Sequence, residues 1–306
     1  MRPAVSVIVP CYRHEAYVEA CLRSIDSQTM GPLEVIVIDD GSTDETWTRI
    51  QDFRFTAKHE VVRIRQPNQG AHEALNQGLR RARGEWVALC NSDDLFHVER
   101  LERMAAAVSD AGGRFGFSGV WYVDEHGVDV SAVSDYAAEL AAKQAAIEQF
   151  PTVGWALVLS NVAISTGNFF FKRALLDEIG LFRPYRLVHD WDFILRSLLV
   201  TEPVYVPDRL YAYRLHGTNS FTALMGEVAA RECPELMRRY LKAATRRRPV
   251  NRLAPSPYHW PVFYEVFVKE HSYQPYLAGW EGVDEPFYRP EGAMIGGSLS
   301  GDRHGN

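Results

Sequence analysis

The chain has 306 residues, 46% hydrophobic and 24% charged, with a formal net charge of −6, the make-up of an ordinary globular protein long enough to bury its own core. The acidic balance excludes nucleic acid as the main ligand, because backbone phosphates need a basic surface. The four cysteines, Cys11, Cys21, Cys90 and Cys233, fit no zinc or CxxC spacing and are expected as buried free thiols.

The first hundred residues alternate strand and helix. Val5–Pro10 is apolar and β-branched, as a strand buried on both faces should be. Val18, Cys21, Leu22 and Ile25 recur at helical spacing, with Gly31-Pro32 as the expected stop. Leu33–Ile38 is a second buried strand, ending at Asp39-Asp40-Gly41. Ser42 and Glu45 read as a capping box for a helix carrying Trp47 and Ile50 on one face. Val61–Arg65 is a third strand. A helix with Ala71, Ala74, Leu75, Gly78, Leu79 and Ala82 on one face follows, with Gly84 as its expected C-cap. Trp86–Cys90 is a fourth strand, ending at Asn91-Ser92-Asp93-Asp94, and Val98, Leu101, Ala105 and Val108 mark another helix.

The middle of the chain is less regular. Phe115–Val123 reads as a strand, Asp124–Gly127 as a turn and Ala132–Phe150 as helical. Apolar Phe169–Phe171 precedes a helix over Arg173–Glu178 that stops at Gly180. Asp190 stands at the start of a helix with Trp191, Ile194, Leu195, Leu198 and Leu199, and Pro203–Tyr213 is a further strand region. Beyond residue 221, Arg238, Arg239, Arg246, Arg247 and Arg248 lie on a helix and its end. Residues 252–290 show no period, and Gly296–Asn306 reads as a frayed tail. There is no signal-peptide pattern and no apolar run of about 18 residues. The expectation is a cytoplasmic protein.

Strands alternating with helices imply an α/β fold: an open, mainly parallel twisted sheet with helices on both faces. Ligands of such sheets bind at the carboxyl ends of the strands, which is where both acidic clusters fall.

Three clusters could carry chemistry. Adjacent carboxylates in Asn91-Ser92-Asp93-Asp94 repel unless a cation sits between them, and hard oxygens suit Mg2+ or Mn2+ together with a diphosphate. A turn followed by a helix cap explains the same residues. Asp39-Asp40-Gly41-Ser42 is either a turn with a cap or an acceptor for a base or ribose. In His189-Asp190-Trp191-Asp192, Asp190 is either an N-cap or a general base. His216 could reach phosphate or metal, or be structural. The GxGxxG and Walker signatures are absent, which counts against a dinucleotide-dependent dehydrogenase and a P-loop kinase.

Taken in order, Ser6–Tyr12, Glu34–Asp44, Asn68-Gln69-Gly70 with Ala74, Asn76, Gly78 and Ala82, Gly84–Val87, Asn91–Asp94, Phe169–Arg173, Gly180–Phe182 and His189–Phe193 resemble the inverting GT-A fold glycosyltransferases of the family-two group. The resemblance covers residues 4–220. It implies a donor half at 1–125, an acceptor half of the same domain at 126–220, and a C-terminal helical or irregular extension at 221–306. Pro10, Tyr12, Glu15, Asp39, Asp40, Asn68, Gly70, Asn76, Asn91, Ser92 and Asp94 would bind the nucleotide and donor sugar. Asp93, with His216 as a further candidate, would hold Mn2+ or Mg2+. Asn168, His189 and Trp191 would face the acceptor, and Asp190 would be the base. The family's acidic motif usually begins with Asp where this chain has Asn91, one charge fewer.

The resemblance further implies a UDP- or dTDP-sugar donor, a glycan or lipid-linked acceptor, and a place in polysaccharide or glycoconjugate synthesis. Peripheral contact at the inner face of the membrane would suit such an acceptor. A non-catalytic nucleotide-sugar- or carbohydrate-binding protein on the same fold is the competing reading. The oligomeric state is not legible.

Overall fold

The computed structural model describes residues 3–217 and 226–277. Among these, eight strands form one sheet: β1 (Val5–Cys11), β2 (Glu34–Asp39), β3 (Glu60–Arg65), β4 (Trp86–Leu89), β5 (Leu95–Phe96), β6 (Phe115–Val123), β7 (Phe170–Lys172) and β8 (Val204–Arg214). Their spatial order is β3-β2-β1-β4-β7-β6-β8-β5. The first four run parallel. β7 is antiparallel to both β4 and β6, β6 is parallel to β8, and the short β5 pairs antiparallel with β8.

The helices are α1 (Val18–Asp26), α2 (Thr46–Asp52), α3 (Ala71–Leu79), α4 (Arg100–Asp110), α5 (Asp135–Ala145), α6 (Val153–Leu159), α7 (Leu175–Ile179), α8 (His189–Leu198), α9 (Glu227–Arg246), α10 (Pro261–Glu270) and α11 (Gln274–Leu277). They cover both faces of the sheet, and strand periodicity sorts the core accordingly. Val5, Val7 and Val9 of β1 pack with Val18, Leu22 and Ile25 of α1 and with Leu101 and Met104 of α4. Ile8 faces the other way, toward Ala74, Leu75 and Leu79 of α3, in a core that continues through Phe169, Phe171, Phe193 and Trp155. The apolar stripes of α1, α3 and α4 thus meet one or the other apolar sheet face, as the α/β expectation requires.

Three local expectations are corrected. Ser42 caps no helix: its Oγ accepts the Arg13 backbone N–H at 2.9 Å, and the residue before α2 is Glu45, with no side-chain cap. The capping pattern is there, but a tertiary donor took the hydroxyl. Gly84 is no helix C-cap either, because α3 ends at Leu79. Its amide donates to Ser6 Oγ at 2.8 Å, and a Cβ there would lie 2.6 Å from the Ser6 nitrogen, so the glycine serves close approach to β1. Gly31-Pro32 likewise lies beyond the end of α1 at Asp26. Gly180, by contrast, closes α7 at φ +74°, as expected of a glycine stop.

The aperiodic region from residue 252 contains α10 and α11, and the short α6 was not foreseen. α6 is buried nearly all round, so it has no amphipathic stripe to read; its one local signal is Thr152, whose Oγ1 accepts the Trp155 N–H. Cys11, Cys21 and Cys90 are buried free thiols and Cys233 is a half-buried one. Of the five arginines on and after α9, Arg239 donates to Tyr185 Oη and Arg238 lies over the Tyr276 ring, while Arg246, Arg247 and Arg248 are exposed. Among the described residues no helix is long and apolar enough to cross a membrane. The tail at Gly296–Asn306 and residues 278–290 of the aperiodic stretch lie outside the described residues.

Candidate active site

The carboxyl ends of β1, β2 and β4 point to one rim, because the three strands are parallel and in register. Three groups of side chains gather along that rim.

The first is built on the end of β2. Asp39 is buried, accepts the Ser42 N–H at 3.3 Å and pairs with Arg65 Nε at 3.1 Å. Asp40 accepts from Gln66 Nε2 at 2.7 Å, the Gln69 N–H at 2.9 Å and the Gly70 N–H at 2.8 Å. One carboxylate therefore shapes the loop that presents exposed Asn68 and leads into α3, and Gly70 takes φ +90° at its end. On the loop after β1, Tyr12 is exposed and Glu15 accepts the Glu45 N–H at 2.8 Å, tying that loop to the start of α2. Pro10, at the end of β1, is half-buried beside this group.

The second group follows β4, where the two adjacent aspartates face different surroundings. Asp94 is buried. Tyr211 of β8 donates its hydroxyl to one of its oxygens, and the Arg214 backbone N–H donates to the other at 2.8 Å. Burial and then the neighbouring Asp93 charge push its carboxyl well above the usual aspartate value, against the pull of Tyr211 and Arg214. Asp93 Oδ2 instead faces two imidazoles, His216 Nε2 at 3.0 Å and His14 Nε2 at 3.7 Å. Burial raises its pKa, but His14 and His216 outweigh that and hold it below the ordinary value. Its other oxygen, Oδ1, is buried without a hydrogen-bond partner among the described residues. Ligand atoms of His14, Asp93 and His216 all lie within 4.8 Å of one another. Ser92 is buried and shares a 2.8 Å hydrogen bond with His14 Nδ1.

The third group sits at the start of α8. Asp190 Oδ1 accepts the Trp191 N–H at 2.6 Å, and Oδ2 accepts from Asn161 Nδ2 at 2.7 Å. Burial raises the Asp190 pKa, partly opposed by His189, the Trp191 N–H and Asn161. Burial lowers that of His189, opposed by Asp190. A neutral imidazole beside a carboxylate that takes up protons more readily than usual is an arrangement suited to moving a proton. Trp191 is half-buried, its indole N–H given to the Leu157 carbonyl at 2.6 Å. Asp190 is the second residue of α8, so it is not the N-cap.

A short segment joins the second group to the third. Asn91 Nδ2 donates to Ser165 Oγ at 2.9 Å, and the next residue, Thr166, has Oγ1 3.3 Å from His189 Nε2. The acidic end of β4 and the start of α8 thus share one wall.

Three expected site residues are placed in the interior instead. Asp94, expected to face the donor, has both oxygens taken by Tyr211 and the Arg214 N–H and is turned away from it. Asn76 is buried with both ends of its amide used: Nδ2 donates to the Phe182 carbonyl and Oδ1 accepts the Phe182 N–H, each at 2.9 Å. It clasps α3 to the chain beyond α7. Asn168 is fully buried, donates to the Ser118 and Ala163 carbonyls and accepts from Arg100 Nη2 at 2.9 Å. Arg100 is itself buried, lies over the Tyr211 ring, and has its pKa pushed down to about 10 by burial. The pair supports the wall from behind. His14, Asn161, Tyr211 and Arg214 were not singled out from sequence. His14 stands next to a motif that was, within Tyr12-Arg13-His14, but nothing local marks it.

With this geometry in hand, the class of protein follows: the molecule has the GT-A fold of glycosyltransferases. It superposes with a TM-score of 0.58 on TarS of S. aureus in complex with UDP-GlcNAc, at 22% identity, covering 79% of this chain and 66% of that one. A mannosyltransferase from Pyrobaculum calidifontis, in complex with GDP-Man and Mn2+, gives 0.59 at 21% identity, covering 90% of this chain and 72% of that one.

The chain belongs to glycosyl transferase family 2, whose family model matches residues 6–180. Among curated relatives, an uncharacterized glycosyltransferase of Nostoc sp. is 25% identical over 241 residues, 74% of this chain and 70% of the relative. A PGL/p-HBAD biosynthesis glycosyltransferase of Mycobacterium bovis is 28% identical over 216 residues, 67% of this chain and 75% of the relative.

Proposed function

We propose that this glycosyltransferase moves a sugar from a nucleotide-diphosphate donor to an acceptor hydroxyl in a single displacement with inversion, in the synthesis of a polysaccharide or glycoconjugate. The observation that supports the reading is the shared wall, Asn91–Ser165 and Thr166–His189, which links the segment carrying Asp93 to the start of α8, where Asp190 lies.

Residues of the first group, Asp39, Asp40, Asn68 and Gly70, with Pro10, Tyr12 and Glu15, would line the nucleotide. A UDP- or dTDP-sugar is our reading, and solved neighbours carry UDP-GlcNAc and GDP-Man. The second group fits a divalent cation. Asp93 Oδ1 is a buried acceptor without a partner among the described residues, and Oδ2 faces an imidazole at 3.0 Å. Asp93 and His216 would hold Mn2+ or Mg2+, and a cation bound there would offset the charge that develops on the departing diphosphate.

The remaining steps belong to the chain's own residues. Asp190 takes the proton of the acceptor hydroxyl as that oxygen bonds to the anomeric carbon and the bond from that carbon to the diphosphate oxygen breaks. Asn161 and the Trp191 N–H hold the carboxylate in place while leaving each oxygen a free lone pair. His189 and Trp191 border the acceptor side, Asn91 stands between donor and acceptor, and Asp94 keeps the acidic segment in place. Residues 1–125 would thus form the donor half and 126–220 the acceptor half of one domain.

Calorimetric titration with a panel of nucleoside diphosphates, with and without Mn2+, tests the reading. Metal-dependent binding of one nucleotide, lost in Asp93→Ala, is the expected result. No binding to any member of the panel would sink the donor-site assignment and favour a non-catalytic carbohydrate-binding protein.

A further inference from the structure

We propose that His14 is a third protein ligand of the cation, making the site a two-imidazole, one-carboxylate set that prefers a first-row transition cation to Mg2+; this rests on the donor-site reading above.

Three separate parts of the chain converge here. His14 comes from the loop after β1, Asp93 from the segment after β4, and His216 from just beyond β8. Both imidazoles turn Nε2 toward the same carboxylate oxygen, at 3.0 and 3.7 Å. The two rings are 5.9 Å apart and nearly perpendicular, at 87°, so they are not stacked on each other.

Ser92 supplies the outer contact that a ligating imidazole needs. With Nδ1 protonated and donating to Ser92 Oγ at 2.8 Å, Nε2 keeps its lone pair and faces Asp93. The hydroxyl of Ser92 is therefore spent on orienting His14 and lies buried behind it. A plain ion pair between Asp93 and His14 explains less. At 3.7 Å the contact is too long for a hydrogen bond, and it leaves Asp93 Oδ1 buried and without a partner among the described residues. A cation held by Asp93, His14 and His216 would give the buried carboxylate and both imidazoles a common partner.

The chemical consequence is selectivity. Imidazole nitrogen suits transition cations, whereas Mg2+ prefers oxygen and water. Two nitrogens against one carboxylate, in a segment whose first position is Asn91 rather than Asp, shift the set away from Mg2+.

The test counts nitrogens. Pulsed electron paramagnetic resonance on the full chain, with Mn2+ alone and with Mn2+ plus UDP, reads imidazole couplings to the bound ion. Two are expected in the native protein and one in each of His14→Ala and His216→Ala. Mn2+ affinity should fall about 10-fold or more in His14→Ala, and the native site should bind Mn2+ more tightly than Mg2+. A single coupling in the native protein, or a count unchanged in His14→Ala, overturns the role of His14 while leaving the donor site intact. The native measurement stands even if a variant fails to fold. Absence of Mn2+ binding both alone and with UDP overturns this proposal and the donor-site reading together.

Discussion

Tyr211 donates its hydroxyl to Asp94 across 117 positions of sequence, and that bond divides the labour of the two adjacent aspartates. With Tyr211 on one oxygen and the Arg214 N–H on the other, Asp94 is anchored into β8. Asp93 is thereby turned the other way, toward His14 and His216.

Removing the anchor should therefore cost both stability and donor binding. Tyr211→Phe leaves a buried carboxylate short of one donor, a loss of about 1–3 kcal/mol. Denaturant unfolding should show a lower midpoint with an unchanged slope, and calorimetry should show weaker metal-dependent nucleotide binding. Native stability in the variant would mean that the bond contributes nothing net.

Asp190→Asn keeps the shape of the side chain and removes the proton acceptor. Turnover should fall about 10²–10⁴-fold, the usual worth of a general base, while calorimetry finds the donor affinity of the native protein. Undiminished turnover would remove Asp190 from the mechanism.

The pH profile tests the same residue from its surroundings. Asp190 must be deprotonated to act, and burial raises its pKa, so activity should fall on acidification at a pH above the ordinary aspartate range. Asn161 donates to the charged form and lowers that pKa. In Asn161→Ala the acid limb of kcat/KM should move to still higher pH. A limb that stays put or moves down contradicts the assignment.

A packing prediction concerns Gly78 on α3. A Cβ there would lie 2.4 Å from Ile8 Cγ2 and 3.0 Å from Ile38 Cδ1, so the helix sits directly on β1 and β2. Gly78→Ala gains helix propensity of about 1 kcal/mol but overpacks the core at about 1–3 kcal/mol. The balance should be destabilising, and a thermal melt at or above the native midpoint would show that α3 moves away freely.

Much of the molecule was legible in the sequence because its causes are local. β-branched runs such as Val5–Val9 and Glu34–Asp39 declare buried parallel strands, and the stripe of α3 declares a helix lying on a sheet. Parallel strands place their carboxyl ends on one rim, so Asp39, Asp40 and Asp93 could be assigned to a common edge from order alone. Asp190 was placed at the start of α8 by the helical spacing that follows it, while the choice of base over N-cap as its expected role came from the family resemblance alone.

What the sequence could not decide was which oxygen or nitrogen each polar group meets. Ser42 and Glu45 look like a cap, yet the Ser42 hydroxyl goes to Arg13. Asn76 and Asn168 look like site residues, yet both amides are consumed by partners far along the chain. His14 and Asn161 carry no local signal: only the approach of β1, β4 and β8 makes His14 a neighbour of Asp93, and only the packing of α6 against α8 makes Asn161 a neighbour of Asp190. The physical reason is that apolar patterning follows the period of each element, whereas a hydrogen bond or ligand contact needs angstrom placement between groups more than a hundred residues apart. Composition and period determine the elements and the rim; tertiary packing alone settles which of two adjacent aspartates faces the site.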